Sequence, residues 1–318
     1  MGMSEFRQKC IGKTNLVGSF AAIPHPVAVE VMAQSGLDFL CIDWEHAQIS
    51  RDTVEAMVRA ADVHRVPAMV RVPGHAQEAI QAALDSGSQG VLVPRVSTAV
   101  QAAMAVKASR YPPQGERGVG PGRAAGYGYR IPEYLAGAND RIVVAVQVET
   151  SEGLANIEAI TAVDGVDLVF VGPGDLSVSI DAIGPKGADK LTEAIRRIIG
   201  VAIANGKTAG IFCARPQDVA QWASIGASFF ILASDTMFLG AGAAAGTSAA
   251  RAELTRARSQ RKRRIGRATG RPSFLSLNFR LENRRTLDKH SKIDGDCRTG
   301  LPASPSWCSG WRGFGPCR

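Results

Sequence analysis

A chain of 318 residues with 45% apolar content can bury a substantial core and suits one large α/β domain or two smaller ones. Its most apolar runs are short and broken by Asp, Gly or Pro, and residues 1–14 carry Glu5, Arg7, Lys9 and Lys13 with no apolar stretch; neither a membrane span nor a signal peptide is expected. The net charge of +8 is uneven: residues 251–318 hold 17 Lys+Arg against 5 Asp+Glu, which leaves 20 against 24 in residues 1–250, so no general affinity for acidic partners is implied for the larger part.

From about residue 16 to 250, short apolar runs alternate with amphipathic stretches, the rhythm of alternating strands and helices. Strands are expected at 16–20, 39–43, 68–72, 90–94, 142–149, 168–171, 208–212 and 229–233. Helices are expected between them at 26–34, 51–63, 76–86, 99–109, 153–162, 190–205 and 216–224. Gly36, Gly87, Gly206 and Gly226 fall where left-handed helix C-caps belong. Eight strands with seven clear helices approach the roughly 250 residues of a (β/α)8 TIM barrel. A doubly wound open sheet is the main competitor. The barrel is favoured because Asp43, Arg71, Arg95, Glu149 and Asp175 all stand at or just past C-terminal strand ends, which a barrel gathers around one mouth and an open sheet spreads along an edge.

Segment 235–252 is a helix weakened by Gly240, Gly242 and Gly246, each costing about 1 kcal/mol against Ala. Its Ala-rich remainder is apolar enough to pack on another subunit. A basic run at 256–271 then opens a stretch without periodic order. The chain is therefore read as a barrel over 1–255 and a basic tail over 256–318 that is expected to be disordered. Cys10, Cys41 and Cys213 are scattered singly, while Cys297, Cys308 and Cys317 crowd the end without CxxC or His spacing. That pattern fits neither a disulfide framework nor a zinc site, and a reducing cytoplasm follows as the expected compartment.

Asp43-Trp44-Glu45-His46 closes the second strand. A carboxylate three residues before a His can orient the imidazole and raise its basicity, as a general base requires; the alternative is a surface His. His25, His64, His75 and His290 have no comparable company. Strand alternation puts Gln147 and Glu149 on one face. Glu149 then points into the mouth, at a cost unless a cation neutralises it, the alternative being a buried Glu–Arg pair. Gly172-Pro173-Gly174-Asp175 forms a tight turn after the sixth strand. Asp175 is either a helix N-cap or, with Glu149, half of the carboxylate pair by which Mg²⁺ is usually held. Oxygen ligands favour Mg²⁺ or Mn²⁺ over zinc. Arg71 shares a face with Met69, so its guanidinium reaches the mouth and suits an oxyanion or carboxylate, unless it is a structural partner of Glu45 or Glu149. The loop 111–123, with Gly118, Gly120 and Gly122, follows a helix instead of a strand and fails the context of a dinucleotide fingerprint; it reads as a lid or a subunit-contact loop.

Six motifs in order carry a resemblance: Asp43-Trp-Glu-His46, Arg71-Val-Pro73, Val93-Pro-Arg-Val96, the segment 110–118, Gln147-Val-Glu149 and the segment 163–176. Over about residues 14–250 the chain resembles the metal-dependent 2-oxo-acid aldolases of the HpcH/HpaI aldolase/citrate lyase family. The resemblance implies class II chemistry: reversible cleavage of a 4-hydroxy-2-oxo acid to pyruvate and an aldehyde. It implies Glu149 and Asp175 as ligands of Mg²⁺ or Mn²⁺, with Co²⁺ also compatible, and Arg71 steadying the pyruvyl oxygen. It implies His46 with Asp43 as the base dyad, Gln147, Gly172, Pro173 and Gly174 around the pyruvate, and a homo-hexamer of paired subunits. Two departures stand out: Gly174 occupies a position where the family often has Ala, and the tail beyond about 255 has no counterpart. A Schiff-base aldolase would need a Lys at a strand end inside the barrel, and Lys107, Lys186, Lys190 and Lys207 are all wrongly placed. A citramalyl- or malyl-CoA-type lyase is disfavoured by the short barrel and the Asp-x-Glu-His motif. The basic run lacks aromatic interleaving, so it suits non-specific polyanion binding and no specific nucleic acid.

Overall fold

Runs of Val, Ile, Leu and Phe pair side by side as eight short strands in the computed structural model, which describes residues 3–268. They are β1 (Leu16–Ala21), β2 (Phe39–Asp43), β3 (Ala68–Arg71), β4 (Gly90–Val93), β5 (Val143–Val148), β6 (Leu168–Val171), β7 (Thr208–Cys213) and β8 (Phe229–Ser234). Each pairs in parallel with the next, and β8 returns to β1, closing the expected (β/α)8 barrel. The helices are α1 (Glu5–Ile11), α2 (Pro26–Ala33), α3 (Arg51–Val63), α4 (Gln77–Asp85), α5 (Ala99–Ser109), α6 (Ile131–Arg141), α7 (Ser151–Ala155), α8 (Ile157–Thr161), α9 (Pro173–Ser179), α10 (Ala188–Ala204), α11 (Pro216–Ala223) and α12 (Asp235–Ala268). The four glycines expected as C-caps do take left-handed φ, from +76° at Gly206 to +101° at Gly226.

The period of two sorts each strand into an outer and an inner row. Leu40, Ile42, Val70, Val144, Val146, Val148, Val169 and Val171 face the helices in one core. Phe39, Cys41, Met69, Leu92, Val143, Ala145, Leu168, Phe170, Phe229 and Ile231 fill the barrel in a second. Phe39 stacks on Phe229 with centroids 4.2 Å apart, and Phe6 of α1 plugs the same end. A Cβ at Gly18 would lie 2.5 Å from the Phe39 ring, so glycine is what lets the stack fit. Packing at the N-terminal end leaves the inner row free to become polar at the C-terminal end.

Three features differ from expectation. The helix expected at 153–162 is two helices, α7 and α8, parted at Asn156, whose Nδ2 donates to the Ser97 carbonyl (2.8 Å). The helices α1, α6 and α9 are additional; α1 and α9 have only seven residues each, too few for a periodic signal. The His25 ring, without a carboxylate partner among the described residues, caps α2 by accepting the Val27 N–H (3.2 Å). Finally, the disorder expected from residue 256 is corrected for 256–268, which continue α12 as helix. Ala, Arg, Lys and Gln are strong helix formers even without an apolar face, and Arg256 pairs with Glu253 at 2.6 Å. The rest of the tail, with His290, Cys297, Cys308 and Cys317, lies outside the described residues. The chain divides between Ala250 and Arg251 into two units. Among the described residues no helix is long and apolar enough to cross a membrane.

Candidate active site

The inner row at the C-terminal ends of the strands converges on a cavity of about 320 Å³. Counting by twos, β2 delivers Asp43 after Phe39 and Cys41, β3 delivers Arg71 after Met69, and β5 delivers Gln147 and then Glu149. These residues, His46 and the turn from Gly172 to Asp175 all line the cavity, so the structure brings every sequence-predicted site residue to one place. A larger cleft of about 960 Å³ opens among Ser88, Gln89, Arg123, Tyr134 and Arg141, near the N-terminal ends of β4 and β5. It holds none of these groups, and converging carboxylates select a site better than size does.

Asp43 is paired differently from expectation. Its register partner across β2 and β3 is Arg71, and the two form a bidentate ion pair, Nε to Oδ1 at 2.9 Å and Nη2 to Oδ2 at 2.8 Å. What Asp43 takes from His46 is the backbone N–H (3.2 Å), not the ring. The His46 side chain is 61% exposed and its Nε2 lies 3.6 Å from Glu45 Oε2. That same oxygen is 3.3 Å from Arg71 Nε but accepts no hydrogen bond. Burial pushes the Glu45 carboxyl up, Arg71 and His46 pull it back, and Asp43 and Asp175 push it further. Arg71 sits over the Phe20 ring at 4.2 Å. Burial opposes its charge most strongly, but the hydrogen bonds and charge of Asp43, with Cys41 and Glu45, together outweigh this and hold its pKa up.

Glu149 is 2% exposed and has no cationic side chain against it among the described residues. Oε1 accepts the backbone N–H of Arg95 (2.9 Å), and Oε2 accepts from the Gln147 amide. Arg95 reaches it from a left-handed φ of +53°, a conformation a non-glycine residue rarely adopts and one that clusters at functional sites. A Cβ at Gly172 would collide with Glu149 Oε2, so glycine keeps that oxygen accessible. Burial pushes the Glu149 carboxyl up; Gln147 and the Arg95 N–H oppose this, and the carboxylates of Asp175 and Glu45 add to it. Asp175 stands in the first turn of α9, exposed to the mouth.

A buried carboxylate with only neutral partners, repelled by a second carboxylate, fits a hard divalent cation. Among the described residues no group of three or more His, Cys, Asp or Glu is arranged to hold a metal. Two carboxylates completed by water and substrate oxygens are the usual demand of Mg²⁺, so the donor set suits that ion or Mn²⁺ and not a four-ligand zinc site. Sequence reasoning missed the wall of Phe20, Phe170 and Phe212 and the hydroxyls of Ser234 and Thr236. Ser234 ends β8 as Asp43 ends β2, but counting by twos from Phe229 and Ile231 turns it outward, so alternation gives no signal for it.

Acidic side chains, an arginine and a glycine turn at the C-terminal mouth of an eight-stranded parallel barrel stand where enzymes of this architecture place their active sites. The sequence profile of the HpcH/HpaI aldolase/citrate lyase family matches residues 16–240, and the chain belongs to that family. It is 39% identical over 231 residues to a 4-hydroxy-2-oxovalerate aldolase of Novosphingobium aromaticivorans, covering 72% of this chain and 88% of the relative. It is 38% identical over 239 residues to a hydroxypyruvate/pyruvate aldolase of Deinococcus radiodurans, covering 74% and 85%. A family member of known structure from Burkholderia cenocepacia J2315 superposes with a TM-score of 0.74 at 32% identity, covering 78% of this chain and 99% of that one.

Proposed function

We propose that this protein is a class II, metal-dependent aldehyde-lyase that cleaves a 4-hydroxy-2-oxo acid to pyruvate and an aldehyde and runs the reverse addition. The carrying observation is Glu149, a buried carboxylate with no cationic partner among the described residues, beside Asp175 at the barrel mouth. Glu149 and Asp175 would hold Mg²⁺ or Mn²⁺, and such a cation draws electron density from the oxo group when bound. Arg71 has Nε and Nη2 tied to Asp43, which aims the rest of a fixed guanidinium at the oxygen on which negative charge develops. Gln147 has an unpaired buried Oε1 and, with Gly172, Pro173 and Gly174, borders the oxo acid. A Cβ at Gly174 would meet nothing within 4 Å, so the departure from Ala leaves the turn's packing intact. His46 takes the proton of the C4 hydroxyl as the C3–C4 bond breaks. The C4 fragment leaves as the aldehyde, and C3 gains a proton to become the pyruvate methyl.

A homo-oligomer, a hexamer by family resemblance, belongs to the same reading. Residues 236–265 of α12 are exposed throughout, including Met237, Phe238, Leu239 and Leu254, and a second copy of the chain is the cover proposed for that apolar surface. Three buried free cysteines, Cys10, Cys41 and Cys213, suit a reducing cytoplasm. The deciding experiment follows deuterium entry from solvent into the pyruvate methyl. Exchange is expected with Mg²⁺ or Mn²⁺ and is expected to stop in excess chelator, with no adduct trapped by borohydride. Full exchange in chelator would overturn the class II assignment. Light scattering of the native protein checks the assembly, with a monomer as the opposing result.

A further inference from the structure

We infer that the aldehyde half of the substrate is uncharged and carries a hydroxyl next to its carbonyl, and that Ser234 and Thr236 select it; this rests on the aldolase reading above. The barrel's closing seam carries a bulge. Gly18 pairs with Ile231 but Phe20 pairs with Ser234, so two steps along β1 span three along β8. The extra residue is accommodated where Ala233 takes a φ of +52°. A bulge re-aims the side chain that follows it: regular alternation from Phe229 and Ile231 would have turned Ser234 outward, and instead it lines the cavity.

Asp235 fixes the new arrangement. It is 6% exposed, and its carboxylate accepts the N–H groups of Ala22 (3.0 Å), Ile23 (2.8 Å) and Thr236 (2.7 Å), pinning the start of α12 to the loop after β1. The Ser234 and Thr236 hydroxyls then meet at 2.8 Å, and Ser234 Oγ accepts the Met237 N–H at 3.2 Å. One of the two hydroxyl protons is used between them. The other, with the remaining lone pairs, is available to a ligand that both donates and accepts.

Charge sets the rest of the specificity. Among the lining residues the cationic candidates are Arg71 and His46, against Asp43, Glu149 and Asp175. Arg71 is held by Asp43, flanked by Glu45 at 3.3 Å and, in the aldolase reading, turned to the oxo-acid oxygen, while His46 has Glu45 at 3.6 Å. A carboxylate on the aldehyde would therefore face three acidic side chains with neither cation free for it. Phe20 and Phe212, 5.9 Å apart, supply an apolar wall beside the hydroxyls. A small hydroxyaldehyde matches both surfaces.

The test measures kcat/KM for the addition of pyruvate to glycolaldehyde, acetaldehyde and succinic semialdehyde in the full-length, metal-loaded protein. Glycolaldehyde is expected to lead, with the semialdehyde last. A cavity that pairs a substrate hydroxyl discriminates against an analogue lacking it, so Ser234→Ala and Thr236→Val should each lower kcat/KM for glycolaldehyde about tenfold more than for acetaldehyde. A global structural defect would lower both alike. Preference for the semialdehyde, or an unchanged ratio in both variants, would overturn the inference. Deuterium exchange into pyruvate, which needs no aldehyde, separates this failure from that of the aldolase reading: absence of exchange in the unaltered protein would overturn both.

Discussion

At the scale of single residues, Glu149 is where electrostatics and the proposed metal site meet. Burial raises its carboxyl above the ordinary value, so the folded chain holds that proton more tightly than the unfolded chain does. Its contribution to stability is therefore fully present below the unfolded carboxyl value of about 4.3 and is lost as pH rises through the raised value. Above that raised value the cation-free protein carries an ionised, buried group at a net cost. Glu149→Gln is expected to raise the melting temperature of the chelated protein at pH 8, with the gain vanishing near pH 4, while weakening Mg²⁺ binding by calorimetry. A lower melting point at pH 8 would show that the carboxylate is satisfied by something else. His46 gives the complementary test. It touches neither Glu149 nor Asp175 through any hydrogen bond or ion pair, so His46→Ala is expected to lower turnover about 10²-fold, the usual scale for a positioned base, with Mg²⁺ affinity retained. If metal binding were lost together with turnover, His46 would be a ligand instead.

At the scale of elements, what was legible in the sequence was what depends on period and composition. All eight strands and the inward aim of Arg71 and Glu149 follow from counting by twos from Met69 and Gln147. The partner of Asp43 was not legible, because it depends on the register between β2 and β3, which sets Asp43 opposite Arg71 while His46 is nearer in sequence. The Arg95 N–H and the β8 bulge are backbone events with no residue signature, since Arg and Ala seldom mark left-handed positions. The loop expected to be a lid or subunit contact is moored at its ends by Tyr111 to Asn139 and by Arg123 to Ser86 and Asp62, and between them by a residue that composition made look solvated. Arg117 has no exposed side-chain surface, pairs with Asp85 at 2.7 Å and lies over Tyr111 (4.7 Å) and Tyr134 (5.6 Å). Its Nε and Nη1 find no hydrogen-bond partner, so packing and the single ion pair hold it. Arg117→Ala would remove the stem that fills this space and strand Asp85. A loss of about 3 kcal/mol is expected from urea midpoints, with faster protease cleavage between 111 and 130. Unchanged cleavage there would mean that the loop is held elsewhere.

At the scale of the whole molecule, the part that carries the chemistry and the part that carries the positive charge are separate along the chain. Residues 1–250 hold 20 basic against 24 acidic side chains, and 251–318 hold 17 against 5. The family profile ends at residue 240, and the division into units falls after Ala250. The fold supplies a reason to expect the later segment to be dispensable: the eight strands close the barrel by Ser234, and within the same unit residues 236–250 of α12 are exposed. A chain ending at Ser259 keeps the Asp235 clamp and the apolar surface of α12 proposed to meet a second copy. It sheds most of the basic run together with Cys297, Cys308 and Cys317. This shortened protein is expected to melt within about 2 °C of the full chain, roughly the scale of a change below 1 kcal/mol for a domain this size. It should keep chelator-sensitive cleavage and the same oligomeric state by light scattering, and bind anionic resin less than the full chain does at low ionic strength. Unfolding on truncation, or loss of cleavage with the fold intact, would make the segment beyond 259 part of the working enzyme and remove the boundary drawn between barrel and tail.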